Sequence, residues 1–362
     1  MADQEERWAL GMMSGTSLDG LDAALIRSDG ERLLEAGPFT SEPYDEAFRE
    51  RLRGLLGGAP EDAVAPVERE LTERHALAVE RLLVEAGLKR EVVEVIGFHG
   101  QTIHHAPEEG RTWQIGDGAL LARLTGLPVV NELRLADMAA GGQGAPLAPA
   151  YHRALAAELE KPLAVLNLGG VGNVTWLGKG PEDILAFDTG PANALLDDWV
   201  WRQGAGRFDE GGRLAASGRI AEHLVEQWLR APYFDLQPPK SLDRDAFATP
   251  GLEGLMLEDG AATLTAFTAA SVARAAESFP GPVASVLVNG GGRRNPMMMA
   301  MLAARLGVAV EPVERFGWDG DALEAQAFAF LALRSLRGLP ITYPGTTGVV
   351  TPLSGGKLHK PE

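Results

Sequence analysis

Apolar residues occur along the chain in two patterns, short continuous runs and longer stretches with helical spacing. Residues 8–13 and 21–27 are short runs on either side of a turn of small residues, and 163–168 and 174–177 repeat that arrangement. Within residues 61–87, apolar side chains return every three to four positions, which predicts an amphipathic helix. The same reasoning predicts further strands at 92–98, 129–130, 184–187, 283–288 and 308–313, and helices at 117–125, 147–158, 192–202, 213–230, 261–279, 296–306 and 321–336. Strands that alternate with helices in this way predict an α/β fold.

The repeated strand–turn–strand unit predicts two related halves, one in each of two domains. A chain of 362 residues fits that number, because a domain averages about 150 residues. We expect the boundary in the run of small residues at 139–142, so that residues 1–140 form an N-terminal lobe and 141–337 a C-terminal lobe. The last segment, 338–362, is expected to complete the N-terminal lobe. Residues 232–250 are polar and contain several prolines, which favours an ordered loop or lid.

The charge balance disfavours two classes of partner. The chain carries 33 Lys and Arg against 50 Asp and Glu, a net charge of −17, which is unsuited to binding nucleic acid or an anionic membrane surface. An anionic ligand would therefore need a local Arg or Lys. The absence of cysteine excludes thiol nucleophiles and disulfides, and it suits a reducing cytoplasm. The polar, acidic start predicts no signal peptide, and no apolar run is long enough to predict a membrane span.

Glycine is concentrated in short loops that directly follow predicted strands. In residues 11–20, backbone N–H groups freed by small residues and several hydroxyl side chains can face an anion, and Asp19 would then hold Mg²⁺ directly or through water. Residues 167–175 have the same character in the second half. A hairpin turn explains either loop alone, whereas two loops in matching positions favour anion binding. Neither loop fits a Walker phosphate loop or a dinucleotide fingerprint.

Further positions carry candidate chemistry, each with a simpler alternative. Asp188 ends a predicted strand before a helix, where a carboxylate acts as a general base or caps the helix. The three glycines within 288–296 allow another molecule close to the backbone, although a tight turn explains one of them. Strand-exit loops within 98–145 are dense in hydrogen-bonding groups, as a sugar site requires, or they only stabilise those loops. Glu324 lies in an otherwise apolar helix, where it is either solvent-facing or a buried functional carboxylate. The histidines show no metal-binding spacing.

These loops are more specific together than singly. The sequences MSGTSLDG (13–20), HGQT (99–102), QIGD (114–117), GGQGAP (141–146), NLGG (167–170), FDTGP (187–191) and GGG (290–292) occur in this order. With this set, the chain resembles the anhydro-N-acetylmuramic acid kinase family across nearly its whole length. That family belongs to the sugar kinase and actin-like ATPase superfamily. The resemblance implies a two-domain α/β fold, each domain a mixed five-stranded sheet flanked by helices, with ATP in the cleft between them.

The resemblance also implies roles for individual residues. Asp188 is the implied catalytic base. The positions implied near the sugar are Arg134, Asp137, Gln143 and Glu324. The implied nucleotide-binding positions are Gly15, Thr16, Ser17, Leu18, Asp19, Gly20, Leu21 and Asp22 in a first phosphate loop, Gly169, Gly170, Gly172 and Asn173 in a second, and Gly290, Gly291 and Gly292 near the adenosine. The chain departs from the family pattern at 239–247, which lacks a Ser-Thr-Gly-Arg order expected of its lid, and at Gly118, which replaces a proline in a turn.

Residue chemistry alone predicts an ATP-dependent phosphotransferase that acts on a polar small molecule. The resemblance narrows this to phosphorylation of 1,6-anhydro-N-acetylmuramic acid with ATP and Mg²⁺. The anhydro ring would open by hydrolysis, giving N-acetylmuramic acid 6-phosphate and ADP in peptidoglycan recycling. The alternatives are a kinase for another sugar on the same fold and a non-enzymatic, actin-like nucleotide clamp. A homodimer is left open, and neither nucleic acid nor a membrane is an expected partner.

Overall fold

The chain folds into two compact units. The computed structural model describes residues 7–15, 17–242 and 247–361. Unit 1 comprises Met1–Glu158 and Ala322–Glu362, and unit 2 comprises Leu159–Asp321. Thr16 in the first predicted phosphate loop, and residues 243–246 in the atypical 239–247 segment, lie outside the described residues.

A seven-stranded mixed sheet forms the centre of unit 1. Its strands are β1 (Arg7–Ser14), β2 (Gly20–Ser28), β3 (Leu33–Pro43), β4 (Val93–Ala106), β5 (Arg111–Ile115), β6 (Val129–Asn131) and, near the C-terminus, β12 (Lys357–His359). The strand order is β12-β6-β4-β1-β2-β3, and β5 pairs with β4. Strands β1, β4 and β6 are parallel, whereas the other four run antiparallel to their neighbours. The helices of unit 1 are α1 (Glu46–Arg53), α2 (Glu61–Ala86), α3 (Gly118–Thr125), α4 (Leu135–Ala139), α5 (Pro149–Leu155), α11 (Leu323–Leu336) and α12 (Pro344–Thr347).

Unit 2 contains a five-stranded mixed sheet of the same design. Its strands are β7 (Leu163–Leu168), β8 (Val171–Leu177), β9 (Ile184–Pro191), β10 (Ser285–Asn289) and β11 (Ala309–Pro312), in the order β11-β10-β7-β8-β9. Three adjacent parallel strands continue into two antiparallel ones, as do β6-β4-β1-β2-β3 in unit 1. The helices are α6 (Asn193–Arg202), α7 (Arg213–Ser217), α8 (Glu222–Trp228), α9 (Leu257–Ala276) and α10 (Pro296–Leu306). The predicted α/β class with two mixed sheets is confirmed, and the first sheet has two strands more than expected.

Helix α11 lies directly against the sheet of unit 1 because two strands lack side chains beneath it. A Cβ atom added to Gly11 in β1 would lie 1.8 Å from the carbonyl oxygen of Ala325. A Cβ atom added to Gly97 in β4 would lie 2.0 Å from that of Phe328. From 323 to 334, every residue of the helix is buried except Glu324. This close packing assigns α11 to unit 1.

The unit boundaries therefore differ from the expected ones. The chain passes from unit 1 to unit 2 between Glu158 and Leu159 rather than at 140. It returns to unit 1 between Asp321 and Ala322 rather than at 337. Helix α5 stays with unit 1 because it packs on α11, where the buried Tyr151 hydroxyl donates to Gln326 Oε1 at 3.0 Å. Small residues at 139–142 mark a loop within unit 1 and not a change of unit.

Candidate active site

Asp188 lies near the end of strand β9, held by a segment from elsewhere in unit 2. Its backbone N–H donates to the carbonyl of Lys240 at 3.0 Å, and its carbonyl accepts the Tyr233 hydroxyl at 2.5 Å. Its Oδ2 atom accepts the Leu242 N–H at 2.7 Å. Burial raises the pKa of Asp188 to about 7, against the lowering effect of that N–H. A carboxylate with this pKa is suited to accept a proton near neutral pH.

The helix-capping alternative for Asp188 does not apply. The residue at the N-cap of α6 is Ala192, and no side chain caps that helix. Across the β8–β9 pairing, Asp188 lies opposite Asn173, next to an irregularity between Gly172 and Asn173. The predicted base thus neighbours the predicted second phosphate loop within one sheet.

The segment that holds Asp188, residues 233–242, is called the strap here, and a buried lysine anchors it. The ammonium group of Lys240 donates to the carbonyl of Tyr233 at 3.2 Å. It also lies 4.6 Å from the ring centre of Tyr233 and 5.8 Å from that of Phe187, as in cation–π contacts. Burial lowers the pKa of Lys240, and the positive charge of Arg274 lowers it further. These contacts keep the strap, and with it the Leu242 N–H, against the carboxylate.

The glycines of the predicted second phosphate loop differ in their surroundings. A Cβ atom on Gly169 or Gly170 would have its nearest neighbour at 3.6 Å, so both positions have room beside them. A Cβ atom on Gly172 would lie 2.6 Å from Thr189 Oγ1, so packing alone explains that glycine. The carbonyl of Gly169 accepts the N–H of Asn193 at 2.9 Å, which ties the loop to the start of α6. The loop is therefore fixed on its carbonyl side and open at Gly169 and Gly170.

The glycines at 290–292 divide in the same way. A Cβ atom on Gly290 would lie 2.3 Å from Asn167 Oδ1, and a Cβ atom on Gly292 would lie 2.6 Å from Leu168 Cβ. On Gly291, the nearest neighbour of a Cβ atom would be Asn193 Nδ2 at 3.5 Å. Just before them, the buried Oδ1 atom of Asn289 has no hydrogen-bond partner among the described residues. A buried acceptor left unpaired costs about 1–3 kcal/mol. A ligand that donates to it would remove that cost.

The loop between β1 and β2 has a constrained backbone. Leu18 adopts a φ of 58°, a region that leucine seldom occupies, and its N–H donates to the carbonyl of Gly15 at 3.1 Å. The Ser14 hydroxyl, at the start of the loop, donates to Gln101 Oε1 at 2.7 Å. Leu21 packs into the core of unit 1 and is a structural position.

Asp19 lies at the surface, and its side chain is 71% exposed. Its nearest cation is Arg49, at 3.9 Å. Across the described ranges of the chain, no three acidic or histidine side chains come together as a ready-made metal site. A single carboxylate fits the usual mode of Mg²⁺ binding in kinases, in which substrate phosphates and water supply the other ligands. The magnesium role of Asp19 stays a prediction.

Two carboxylates and a guanidinium interact electrostatically in unit 1. Surrounding protein and the Asp22 carboxylate raise the pKa of Glu324, and the Arg134 guanidinium lowers it. Glu324 lies in the first turn of α11 and is exposed, which fits the solvent-facing alternative for its sequence position and not the buried one. The predicted sugar-side residues Arg134 and Glu324 therefore share one charged cluster with Asp22.

Arg134 is held by a histidine and a carbonyl. Its Nε and Nη2 atoms lie 3.2 and 2.9 Å from His99 Nε2, and its Nη1 donates to the carbonyl of Gly144 at 2.6 Å. Burial lowers the pKa of Arg134 to about 10, while Glu324 and Asp137 raise it. At neutral pH, the side chain therefore remains a cation.

Asp137 shapes the loop after α4. Its Oδ1 accepts the Gly144 N–H at 2.6 Å, and its Oδ2 accepts the Thr347 hydroxyl at 2.6 Å. The backbone N–H of Gln143 donates to the carbonyl of Thr347 at 2.8 Å. Both oxygens of the buried Asp137 accept hydrogen bonds from the chain. These contacts position the loop that carries Gln143 and the Gly144 carbonyl, which accepts a hydrogen bond from Arg134.

Comparison with known proteins identifies the family. The sequence profile of the anhydro-N-acetylmuramic acid kinases matches residues 7–360. The chain belongs to this family. An anhydro-N-acetylmuramic acid kinase of Paramagnetospirillum magneticum is 59% identical over 356 residues, which cover 98% of this chain and 99% of that protein. One of Rhodospirillum rubrum is 59% identical over 352 residues, 96% of this chain and 93% of that protein. The family predicted from the ordered motifs is confirmed.

Among solved structures, component A of the Acidaminococcus fermentans (R)-2-hydroxyglutaryl-CoA dehydratase aligns over 90% of this chain and 99% of its own, with 15% identity and a TM-score of 0.47. The ROK hexokinase of Thermus thermophilus aligns over 90% of this chain and 99% of its own, with 17% identity and a TM-score of 0.42. Within 7–15, 17–242 and 247–361, no helix has the length and apolar character needed to cross a bilayer.

For this member of the anhydro-N-acetylmuramic acid kinase family, sequence reasoning missed the residues that hold the implied ones in place. Lys240 and Leu242 of the strap belong to the segment that departs from the family pattern, and their position gave no signal of contact with Asp188. Thr347, which binds Asp137, lies far along the chain. His99 was part of a polar strand-exit motif, and that polarity was the available signal.

Proposed function

We propose that the protein phosphorylates 1,6-anhydro-N-acetylmuramic acid with ATP and opens the anhydro ring by hydrolysis. The products are N-acetylmuramic acid 6-phosphate and ADP, and the reaction serves peptidoglycan recycling. Family membership over residues 7–360 supports the reaction. The observation that carries it is Asp188, a carboxylate within β9 that the strap contacts and whose pKa is raised to about 7. We infer a cytoplasmic location from the absence of cysteine, which suits a reducing compartment.

In the proposed reaction, Asp188 takes a proton from water as the water oxygen bonds to the anomeric carbon. The bond between that carbon and the bridging oxygen breaks, and the freed oxygen bonds to the γ-phosphorus while ADP leaves. Since Leu242 occupies Oδ2, the other carboxylate oxygen is the one we assign to accept the proton. General-base action of this kind contributes about 10²–10⁴-fold to a rate.

We assign the binding of the sugar's lactyl carboxylate to Arg134. The chain carries a net charge of −17, so an anionic sugar needs a local cation. A guanidinium can bind a carboxylate through two parallel hydrogen bonds. Glu324, in the same cluster, is assigned to the neutral polar groups of the sugar.

For the nucleotide, we assign the open positions of unit 2. Gly169, Gly170 and Gly291 leave space beside the backbone, and the unpartnered Asn289 Oδ1 offers an acceptor to a donor such as an adenine amino group. In unit 1, the loop around Gly15 and Asp19 is assigned to the phosphates. Bound Mg²⁺ would neutralise phosphate charge there, with Asp19 as the protein ligand, directly or through water.

Turnover in oxygen-18 water tests the reaction. The experiment measures ADP with and without 1,6-anhydro-N-acetylmuramic acid, and mass spectrometry then locates the label after correction for spontaneous anomeric exchange. We expect ADP release that depends on the sugar, with one labelled oxygen on the anomeric carbon of the sugar phosphate. Label in inorganic phosphate together with intact anhydro sugar would refute the proposal.

A further inference from the structure

The guanidinium of Arg134 is fixed on one edge by a neutral acceptor. His99 Nε2 receives hydrogen bonds from both Nε and Nη2, and the Gly144 carbonyl receives one from Nη1. A guanidinium has five N–H donors. Within the described residues, these contacts use three of them, which leaves one N–H on each terminal nitrogen. Two such donors side by side match the two oxygens of a carboxylate.

The imidazole of His99 can only act as an acceptor toward Arg134. Its Nδ1 lies 2.8 Å from the carbonyl of Gly100 and must carry the proton to donate there, so Nε2 has the lone pair. Burial and the Arg134 charge both hold the pKa of His99 well below its usual value. The ring is also fixed by Phe328 of α11, whose ring centre lies 4.5 Å away. Both the protonation state and the orientation of the acceptor are thus set by the fold.

A neutral acceptor has a different electrostatic effect from the usual carboxylate partner of a buried arginine. Aspartate or glutamate at this position would form an ion pair and cancel the charge of Arg134. Imidazole accepts hydrogen bonds from two nitrogens of the side chain and adds no negative charge on that edge. The hydrogen bonds that position Arg134 go to His99 and Gly144, and Glu324 and Asp137 act on it through their charge.

We propose that His99 is a positioning residue that orients Arg134 while keeping its charge available for the carboxylate of the sugar. This inference rests on the proposed function, because it takes the lactyl carboxylate as the ligand of Arg134. It predicts that the charge at position 99, and not only its hydrogen bonding, controls the affinity for an acidic sugar.

Two variants of equal size separate hydrogen bonding from charge. In His99→Gln, the side-chain oxygen can still accept from Arg134 without charge, whereas in His99→Glu, the acceptor is an anion. We expect His99→Gln to keep KM for 1,6-anhydro-N-acetylmuramic acid within about threefold of wild type. We expect His99→Glu to raise it about 10- to 100-fold, the value of a lost charge-assisted contact, with kcat and KM for ATP changed far less.

A neutral sugar provides the internal control. With 1,6-anhydro-N-acetylglucosamine, which lacks the lactyl carboxylate, the Gln and Glu variants should show the same KM. His105→Gln is the matched control variant, because His105 lies on the same strand and binds Thr112 instead of Arg134. Circular dichroism and thermal unfolding verify that each variant is folded.

The outcomes distinguish the inference from the function it rests on. If wild type turns over the acidic sugar but His99→Gln and His99→Glu have equal KM for it, the charge inference is wrong and the function stands. A loss in His99→Glu that is the same for both sugars also overturns the inference, since it indicates disruption of the fold or site. A wild-type protein that neither binds nor turns over the acidic sugar refutes both.

Discussion

At the scale of single residues, the chemistry depends on how the fold changes the protonation of a few side chains. Asp188 was identified from sequence because a carboxylate at a strand end is recognisable. Its raised pKa was not predictable, because it depends on burial in the folded protein and on an opposing hydrogen bond from the strap, a segment about fifty positions later in the chain. For the same reason, the histidine tautomer that holds Arg134 could not be read from a polar motif alone.

Asp188→Asn should reduce kcat about 10²- to 10⁴-fold, because the amide keeps the size and acceptor of the carboxylate but cannot take a proton. In wild type, kcat should rise with pH through about 7, as Asp188 loses its proton. Steady-state rates from pH 5 to 9 check both statements. Retention of more than about a tenth of kcat by the variant would remove Asp188 from the role of base.

The same substitution should change stability in a pH-dependent direction. The pKa of Asp188 is 3.8 in the unfolded chain and about 7 in the folded protein, so the folded state binds more protons between these values. Wild type therefore loses stability as the pH rises through this window, and the variant avoids that loss because its amide does not titrate. Denaturant unfolding should show Asp188→Asn stabilised more at pH 8 than at pH 5. An equal difference at the two pH values would contradict the assigned burial of the charge.

At the scale of elements, sequence patterns identified regular segments and missed those defined by tertiary contact. The predicted helix at 61–87 is α2 (Glu61–Ala86), since its apolar spacing reflects one buried face. Strand β3 was missed because all of its residues are exposed or half-buried and show no apolar run. The predicted helix at 213–230 is two helices, because a Cβ atom on Gly218 would lie 1.9 Å from the carbonyl of Glu258 in α9.

Weakening the contacts of the strap should change the pH dependence of kcat. In Lys240→Met, the apolar stem remains, but the hydrogen bond to Tyr233 and the cation–π contacts are lost. The Leu242 N–H would then stay on Asp188 for less of the time, and the pKa of Asp188 would rise. We expect the pH dependence of kcat to move to higher pH, with little change in KM for ATP.

The control for this variant is Lys179→Met, at an exposed lysine of the same unit. It should leave the pH profile where it is in wild type. A Lys240→Met enzyme whose profile is displaced to lower pH, or is unchanged, would show that the strap does not tune the base.

At the scale of the whole molecule, the two units should respond to acid in opposite directions. Four histidines with lowered pKa values belong to unit 1: the buried His75 and His152 and the half-buried His105, each at about 4, and the buried His99. In the unfolded chain these groups take up protons from about pH 6.5, so unit 1 loses stability as the pH falls from 6.5 towards 4. Asp188 has the reverse effect, because its raised pKa makes unit 2 more stable as the pH falls below 7.

Hydrogen exchange with mass spectrometry, quenched after incubation at a series of pH values, should therefore show unit 1 opening before unit 2. The peptides that report on this are those of β4 and α2 in unit 1 and of β7 and α9 in unit 2. The single histidine of unit 2, His223, is exposed. Earlier opening of unit 2 on acidification would contradict the prediction.

The glycines beneath α11 also have a consequence for biosynthesis. Gly11 and Gly97 allow close packing against α11, and this helix is synthesised only after the whole of Leu159–Asp321. A ribosome that adds about 5–20 residues per second therefore releases strands β1 to β6 of the first sheet well before their covering helix exists. Unit 2 is continuous in sequence and can fold on the nascent chain. The part of β1 and β4 that lacks side chains stays uncovered until α11 has been synthesised.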